Sequence, residues 1–222
     1  MTEAQPSIVA AFDLDGTLTE GGSVFKWLSH VGGLSRTWGA ALRRTVPLGW
    51  GILRSGDAAD RAKESLFHGV LRGRARSEVA ASSHDFAMAH LERAGRPAYI
   101  ERARWHVSQG HHVVVVSASP ELYVEVIAKE LGADTCISTR LAVDPLGRLT
   151  GSYLGRNCRG EEKQRRLAEW ITAQPWGESA DVYAYGNSRG DRRMLQAADH
   201  GYDAGKLGPF GALRKFERLS TP

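Results

Sequence analysis

Ile8-Val9-Ala10-Ala11-Phe12-Asp13-Leu14-Asp15-Gly16-Thr17-Leu18-Thr19 is the stretch on which the reading of this 222-residue chain turns. Five apolar residues in a row, with no polar alternation, fit a short strand buried on both faces. Two carboxylates then stand two residues apart where that strand runs out into a Gly-Thr turn. Residues i and i+2 of a strand point to the same side. At the carboxyl end of a strand in an open α/β sheet, that side faces the ligand crevice. Two carboxylates so close repel each other, so the pattern asks for a cation. Mg²⁺ suits it, because it takes hard oxygen ligands and keeps positions for water and phosphate oxygens. One carboxylate is then free to attack phosphorus while the other moves the proton, a known form of covalent catalysis. Taken alone, Phe12–Thr19 also fits a strand that ends in a polar turn with both aspartates solvated.

The rest of the chain supports an α/β reading. Residues 20–108 are rich in Ala, Leu, Arg and Glu and carry glycines and Pro47 as punctuation, which predicts several short helices. His112-Val113-Val114-Val115-Val116-Ser117 reads as a second buried parallel strand, followed by a helix over Pro120 to Leu131 that stops at Gly132. A third strand is expected over Thr135–Leu141, with Leu149–Leu154 pairing back as a hairpin. A helix over Glu161–Ala173, a strand over Val182–Tyr185, a helix over Asp191–Ala198 and a short last strand complete the pattern. Alternating strands and helices give a doubly wound parallel sheet. The helical stretch between the first two strands is far too long for a simple crossover and reads as an inserted domain.

Composition narrows the class. The chain is 42% hydrophobic and 24% charged, which suits one folded α/β domain with an insertion. Its two cysteines, Cys136 and Cys158, form no CxxC pair, so neither zinc nor a disulfide framework is expected. A polar N-terminus without a signal-peptide pattern leads to a cytoplasmic expectation. The net charge of +4 is spread over scattered Lys and Arg with no aromatic platform, which argues against nucleic acid as a partner.

Three further signals carry chemistry. Ser117 ends the Val-rich strand just before a helix, where a hydroxyl and free backbone N–H groups make an anion site; Ser117 and Ser119 also suit plain N-capping. Lys163 stands in the first turn of a helix, where the helix dipole disfavours a cation, so a partner anion is expected there. Arg159 and Arg165 compete with it for that role. Gly186-Asn187-Ser188-Arg189-Gly190-Asp191 forms a strand-end loop before a helix and offers an amide oxygen and a carboxylate.

In this order, DxDGT, Ser after a hydrophobic strand, Lys and then GNSxxD with Met194-Leu195, the chain resembles the haloacid dehalogenase (HAD) superfamily of hydrolases. Its helical insertion is similar to the cap of the phosphoserine-phosphatase-like branch. The resemblance implies a Rossmann-like core over residues 1–19 and 109–222 and a helical cap over 20–108. It implies a phosphatase in which Asp13 is the nucleophile and Asp15 the general acid and base. Ser117, the backbone of Ala118, Lys163 and a supporting Thr17 would hold the phosphoryl group. Mg²⁺ would be held by Asp13, the backbone carbonyl of Asp15, Asn187 and Asp191. Asn187 departs from the family pattern, which has an aspartate there.

The expected substrate is a small-molecule or lipid phosphate monoester. Phosphoserine is the alternative. Phosphoserine phosphatases carry a cap glutamate nine residues after the nucleophile, and this chain has Gly22 there, with Glu20 out of register and only Arg61 and Arg72 as candidate carboxylate partners. Phosphotransfer to an alcohol and a non-catalytic binding role are further alternatives. Residues 36–54 interleave Trp38, Ala41, Leu42, Val46, Leu48, Trp50, Ile52 and Leu53 with arginines. That pattern fits a packed helix pair, or an element resting on anionic membrane at the inner face. Oligomeric state is not legible.

Overall fold

The computed structural model describes residues 7–45, 56–205, 213 and 215–219. Five parallel strands make one sheet in the order β3-β2-β1-β6-β7: β1 Ile8–Phe12, β2 His112–Pro120, β3 Thr135–Thr139, β6 Asp181–Gly186 and β7 His200–Asp203. β1 is central, with neighbours on both edges, so Val9 to Phe12 are all buried. The strand order reverses at β1, which places the site-bearing end of β1 at the switch point of the sheet.

The period of two is visible in the packing. Ala10, Phe12, Val113 and Val115 belong to one hydrophobic cluster, and Val9, Ala11, Val114 and Val116 to the other. The first face is covered by α5 Pro97–Ser108, α6 Glu121–Glu130 and the inserted helices. The second is covered by α7 Glu161–Thr172 and α8 Arg192–Ala197.

Between β1 and β2 the chain forms α1 Val24–Gly32, α2 Leu34–Thr45, α3 Gly56–Leu71, α4 Arg76–Ala94 and then α5. The helix α5, counted with the insertion in the sequence reading, packs on the sheet: buried His106 meets the rings of Phe12 and Tyr185. The two connections to the insertion pair with each other. Glu20 N–H donates to the Ala94 carbonyl at 2.6 Å, and Arg96 N–H to that of Leu18 at 2.9 Å.

One expected strand is divided. The stretch Thr135–Leu141 splits after Thr139, and β4 Leu141–Val143 pairs antiparallel with β5 Leu149–Tyr153 in a separate two-stranded sheet. This hairpin leaves the main sheet to meet the insertion. Leu149 exchanges backbone hydrogen bonds with the α3–α4 turn, accepting from Gly73 N–H at 2.8 Å and donating to the Arg74 carbonyl at 2.9 Å. Gly151, at φ +84°, lies so close to α3 that a Cβ there would stand 2.4 Å from His68 Cα. Of the apolar and basic stripe at 36–54, residues 46–54 lie outside the described residues. In the described part of α2, Leu34, Trp38 and Leu42 are exposed.

Candidate active site

Strand ends and loops bring the sequence-predicted residues together. β1 delivers Asp13 at its carboxyl end, buried, and its N–H donates to the Tyr185 carbonyl of β6 at 2.9 Å. From α7, the fully buried Lys163 reaches across and donates to Asp13 Oδ1 at 2.7 Å and to Asp191 Oδ1 at 2.6 Å. Thr17 Oγ1 donates to the other Asp13 oxygen at 3.1 Å.

Neither arginine competes with Lys163. Arg159 faces Asp60 at 3.7 Å and packs over Gly190, while Arg165 pairs with Glu162 and Glu169 on the surface of α7. Neither Arg61 nor Arg72 reaches the site: both are exposed, and Arg72 bonds His68.

Two buried carboxylates share one ammonium here, and the charge does not balance. Burial first, and then the negative Asp191, raise the Asp13 carboxyl from 3.8 to about 7 against the pull of Lys163. Burial acts on Asp191 the same way, but Lys163 and the Ser188 donors outweigh it and hold that carboxyl below its ordinary value. Lys163 is raised: burial works against its charge, and Asp13 and Asp191 outweigh it. A nucleophilic Asp13 must be ionised at neutral pH, so the pocket is one cation short.

The oxygen set fits a hard divalent ion. Asn187 Oδ1 is buried with no hydrogen-bond partner, a condition a metal would relieve. Among the described residues no three Asp, Glu, His or Cys side chains converge as a metal cluster. The donors expected here from the sequence are instead a mixture of carboxylate, backbone carbonyl and amide. Asp191 is already engaged on both oxygens. Its Oδ2 accepts from Asn187 N–H at 3.2 Å, Ser188 N–H at 2.9 Å and Ser188 Oγ at 2.7 Å. Asp191 therefore shapes the loop that presents Asn187. Gly16, at φ +90°, makes room for that amide: a Cβ there would stand 1.9 Å from Asn187 Nδ2.

Ser117 and Ala118 sit in a break of the β2–β3 ladder. Val116 pairs with Ile137 and Pro120 with Thr139, so Ser117–Ser119 bulges outward and its backbone leaves the ladder. Ser117 Oγ accepts from Ser119 N–H at 3.1 Å. Neither serine caps α6, whose N-cap is Pro120 without a side-chain cap bond.

Several residues of the site were not identified from sequence. Ser119 Oγ donates to Asp15 Oδ2 at 2.5 Å, and Ser23 N–H donates to Asp15 Oδ1 at 2.8 Å, so Asp15 is held by both of its oxygens. The Ser23 hydroxyl bonds buried Tyr123 at 2.6 Å. From α3, Lys63 donates to the Ala118 carbonyl at 2.5 Å and to Asn157 Oδ1 at 3.1 Å, and Asn157 Nδ2 donates to Asp60 at 2.7 Å. Burial lowers the Lys63 ammonium from 10.5 to about 8. A signal for Lys63 was present: it stands four residues before Phe67, in phase with the apolar stripe of Phe67, Val70 and Leu71. Beside Asp15 opens a cavity of about 320 Å³, lined by Asp15, Gly16, Glu20, Gly21, Gly22, Arg96 and Asn187.

This buried aspartate–lysine pair stands at the switch point of a parallel sheet, and the chain that carries it is similar to proteins of known family. Residues 10–196 match the haloacid dehalogenase-like hydrolases, and the chain belongs to that family. It is 32% identical over 193 residues to the protein CicA of Caulobacter vibrioides, covering 86% of this chain and 83% of that one. A probable phosphatase of Mycobacterium tuberculosis is 37% identical over 110 residues, covering 50% of this chain and 36% of that one. Among solved structures, a Bordetella pertussis Tohama I protein of unknown function superposes with a TM-score of 0.80 at 24% identity, covering 97% of this chain and 99% of that one. A substrate-bound phosphoserine phosphatase superposes with a TM-score of 0.60 at 20% identity, covering 90% and 87%.

Proposed function

We propose that the chain is a Mg²⁺-dependent phosphomonoester hydrolase working through an aspartyl phosphate. The observation that carries the reading is the buried Asp13 carboxylate, shared with Lys163 at 2.7 Å and oriented by Thr17.

In the first half-reaction an Asp13 oxygen forms a bond to phosphorus as the phosphorus–alkoxide bond breaks, and Asp15 gives its proton to the leaving oxygen. In the second, Asp15 takes a proton from water. The water oxygen bonds to phosphorus, the bond to Asp13 breaks, and orthophosphate leaves. Lys163, Ser117 and the bulged backbone at Ala118 hold the phosphoryl oxygens, since phosphoryl transfer asks mainly for position and charge stabilisation. Asp13, the Asp15 carbonyl and Asn187 would hold Mg²⁺, with Asp191 as a direct or water-mediated partner. When bound, the ion supplies the missing positive charge and keeps Asp13 ionised. The helices of the insertion act as a cap over this end of the sheet, and the cavity beside Asp15 takes the leaving group.

The substrate class is a phosphate monoester, either of a small molecule or of a lipid. Phosphate release with Mg²⁺ from a panel of both, with phosphoserine included, tests the reading, and Asp13→Asn is the control. Turnover that the control lacks supports it. No release from any substrate overturns it.

A second reading, that the substrate is lipid-borne, rests on Leu34, Trp38 and Leu42. They lie four residues apart on α2 and are 65%, 55% and 62% exposed, an apolar stripe turned to solvent. No helix among the described residues is long and apolar enough to cross a membrane, so contact would be at the surface. Flotation with anionic liposomes decides: protein left at the bottom of the gradient removes this reading.

A further inference from the structure

We propose that Arg96 is a positioning residue for phosphoryl transfer, a role that rests on the phosphatase reading above. Arg96 stands where the chain returns from the insertion to the sheet. One terminal nitrogen, Nη1, donates to the carbonyls of Gly16, Thr17 at 3.3 Å and Ala204 at 2.8 Å. Its guanidinium lies over the Tyr99 ring, 4.4 Å from the centroid.

Two of these acceptors belong to the loop that carries the aspartates, and the third lies against the strand end that carries Asn187. Gly16 and Thr17 follow Asp15, and Thr17 holds Asp13. Ala204 follows β7, and its N–H donates to the Gly186 carbonyl just before Asn187, at 2.7 Å. The next residue, Gly205, lies against the Asn187 carbonyl. Arg96 therefore ties the loop carrying both aspartates to the segment after β7, and through the Ala204–Gly186 hydrogen bond to the strand end that precedes Asn187. It does so from the side where Gly16 and Asn187 already touch.

The choice of residue follows from chemistry. Three carbonyls gather on Nη1, and the flat face of the same guanidinium stacks on the Tyr99 ring. A guanidinium meets both demands, while an ammonium has no flat face to lay on the ring. Arg96 also lines the cavity beside Asp15, yet its Nη1 donors point at backbone. It acts through the loop and is not itself a group that reacts.

A displacement of the Asp15 loop by about 1 Å costs on the order of a hundredfold in rate. Arg96→Ala is accordingly expected to lower kcat by about tenfold to a hundredfold, with KM held within about threefold. Guanidinium ion added in solution restores part of the kcat of Arg96→Ala and none for the wild type. Arg96→Lys keeps the charge and loses the geometry, so it stays slow. Should Arg96→Ala not fold, Arg96→Lys carries the comparison at an unchanged melting temperature. Wild-type kcat in a folded Arg96→Lys or Arg96→Ala protein overturns the role, as does a defect confined to KM. An inactive wild type overturns the phosphatase reading, and the role falls with it. An active wild type beside unimpaired Arg96 variants overturns the role alone.

Discussion

Lys163 and Asp13 form a buried ion pair of 2.7 Å although they lie 150 positions apart in the chain. The pair is incomplete as a charge balance, because Asp191 shares the same ammonium at 2.6 Å. The net negative charge left in the pocket works against folding and in favour of a cation. It also sets the direction of several measurable effects.

Asp13→Asn is expected to abolish turnover, since an amide is a poor nucleophile, and to raise stability. The wild-type carboxyl moves from 3.8 to about 7 on folding. Between those values the folded chain holds a proton that the unfolded chain has lost, so stability falls as pH rises across that window and stays lower above it. The variant has no such group. In metal-free buffer above pH ~7 it melts higher, by about 2–4 °C for each kcal/mol of relief, and the gap closes toward pH ~4. Thermal melts of both proteins from pH ~4 to ~8 check this.

Removing the other partner has the opposite effect. Lys163→Met leaves Asp13 and Asp191 facing each other without a cation, and breaking a buried pair this way costs about 3–5 kcal/mol. Urea unfolding at pH ~8, where both carboxyls are asked to ionise, is expected to show the loss, and a smaller one in acid. Turnover falls by at least about a hundredfold, as when one charge-stabilising donor is lost. A Lys163→Met protein as stable as the wild type at both pH values would sink this account.

Gly16→Ala tests the close approach of the two loops. The new Cβ would stand 1.9 Å from Asn187 Nδ2, at a backbone φ of +90° that side chains avoid. The strain is on the order of 1–3 kcal/mol, and Asn187 has to give way. The Mg²⁺ concentration for half-maximal activity is expected to rise along with a lower melting temperature. Unchanged Mg²⁺ dependence would separate Gly16 from the metal side of the site.

Asn187→Asp puts a full charge where an unpartnered amide oxygen now sits. With Asp13 and Asp191 nearby, the added carboxylate lowers stability in the presence of a chelator, and Mg²⁺ restores it. The ion is held about tenfold or more tightly than by the wild type, because a carboxylate is the stronger ligand for a hard cation. Melting curves with and without Mg²⁺ read both effects. A chelated variant no less stable than the wild type would contradict the charge argument.

Lys63→Met probes the contact between α3 and the Ser117–Ser119 bulge. The wild-type ammonium falls from 10.5 to about 8 on folding. Between those values the unfolded chain binds the proton and the folded chain does not, so wild-type stability rises with pH across that window. Lys63→Met lacks the rise. Its kcat/KM is expected to fall, since the Ala118 carbonyl loses a 2.5 Å donor. Parallel stability curves for the two proteins from pH ~7 to ~10 would rule the burial of Lys63 out as the cause.

Much of the fold was legible because its signals are local. The apolar run of β1, the valines of β2 and the turn glycines are patterns within one segment, and the structure has strands and turns there. Thr135–Leu141 was misread as one strand because both halves suit extended backbone. What splits them is a partner: Leu141–Val143 turns away to pair with Leu149–Tyr153. Ser119 looked like a helix cap because capping and ligand positioning use the same residue types. Only the Asp15 carboxylate at 2.5 Å tells them apart.

By itself the sequence determined that a parallel α/β sheet would carry a DxD pair at the end of its first strand, with Ser117, Lys163, Asn187 and Asp191 as companions. Strand phase puts the two aspartates on one side, and the order of the motifs, which resembles the haloacid dehalogenase pattern, is what implied the companions. Tertiary structure alone decided that Lys163 and not Arg159 or Arg165 meets Asp13. It also decided that the Asn187 amide oxygen is left without a partner and that Arg96, Lys63 and Ser119 close around the site. These facts depend on distances between elements far apart in the chain. Such distances arise only when the core packs and each buried polar group must find its partner.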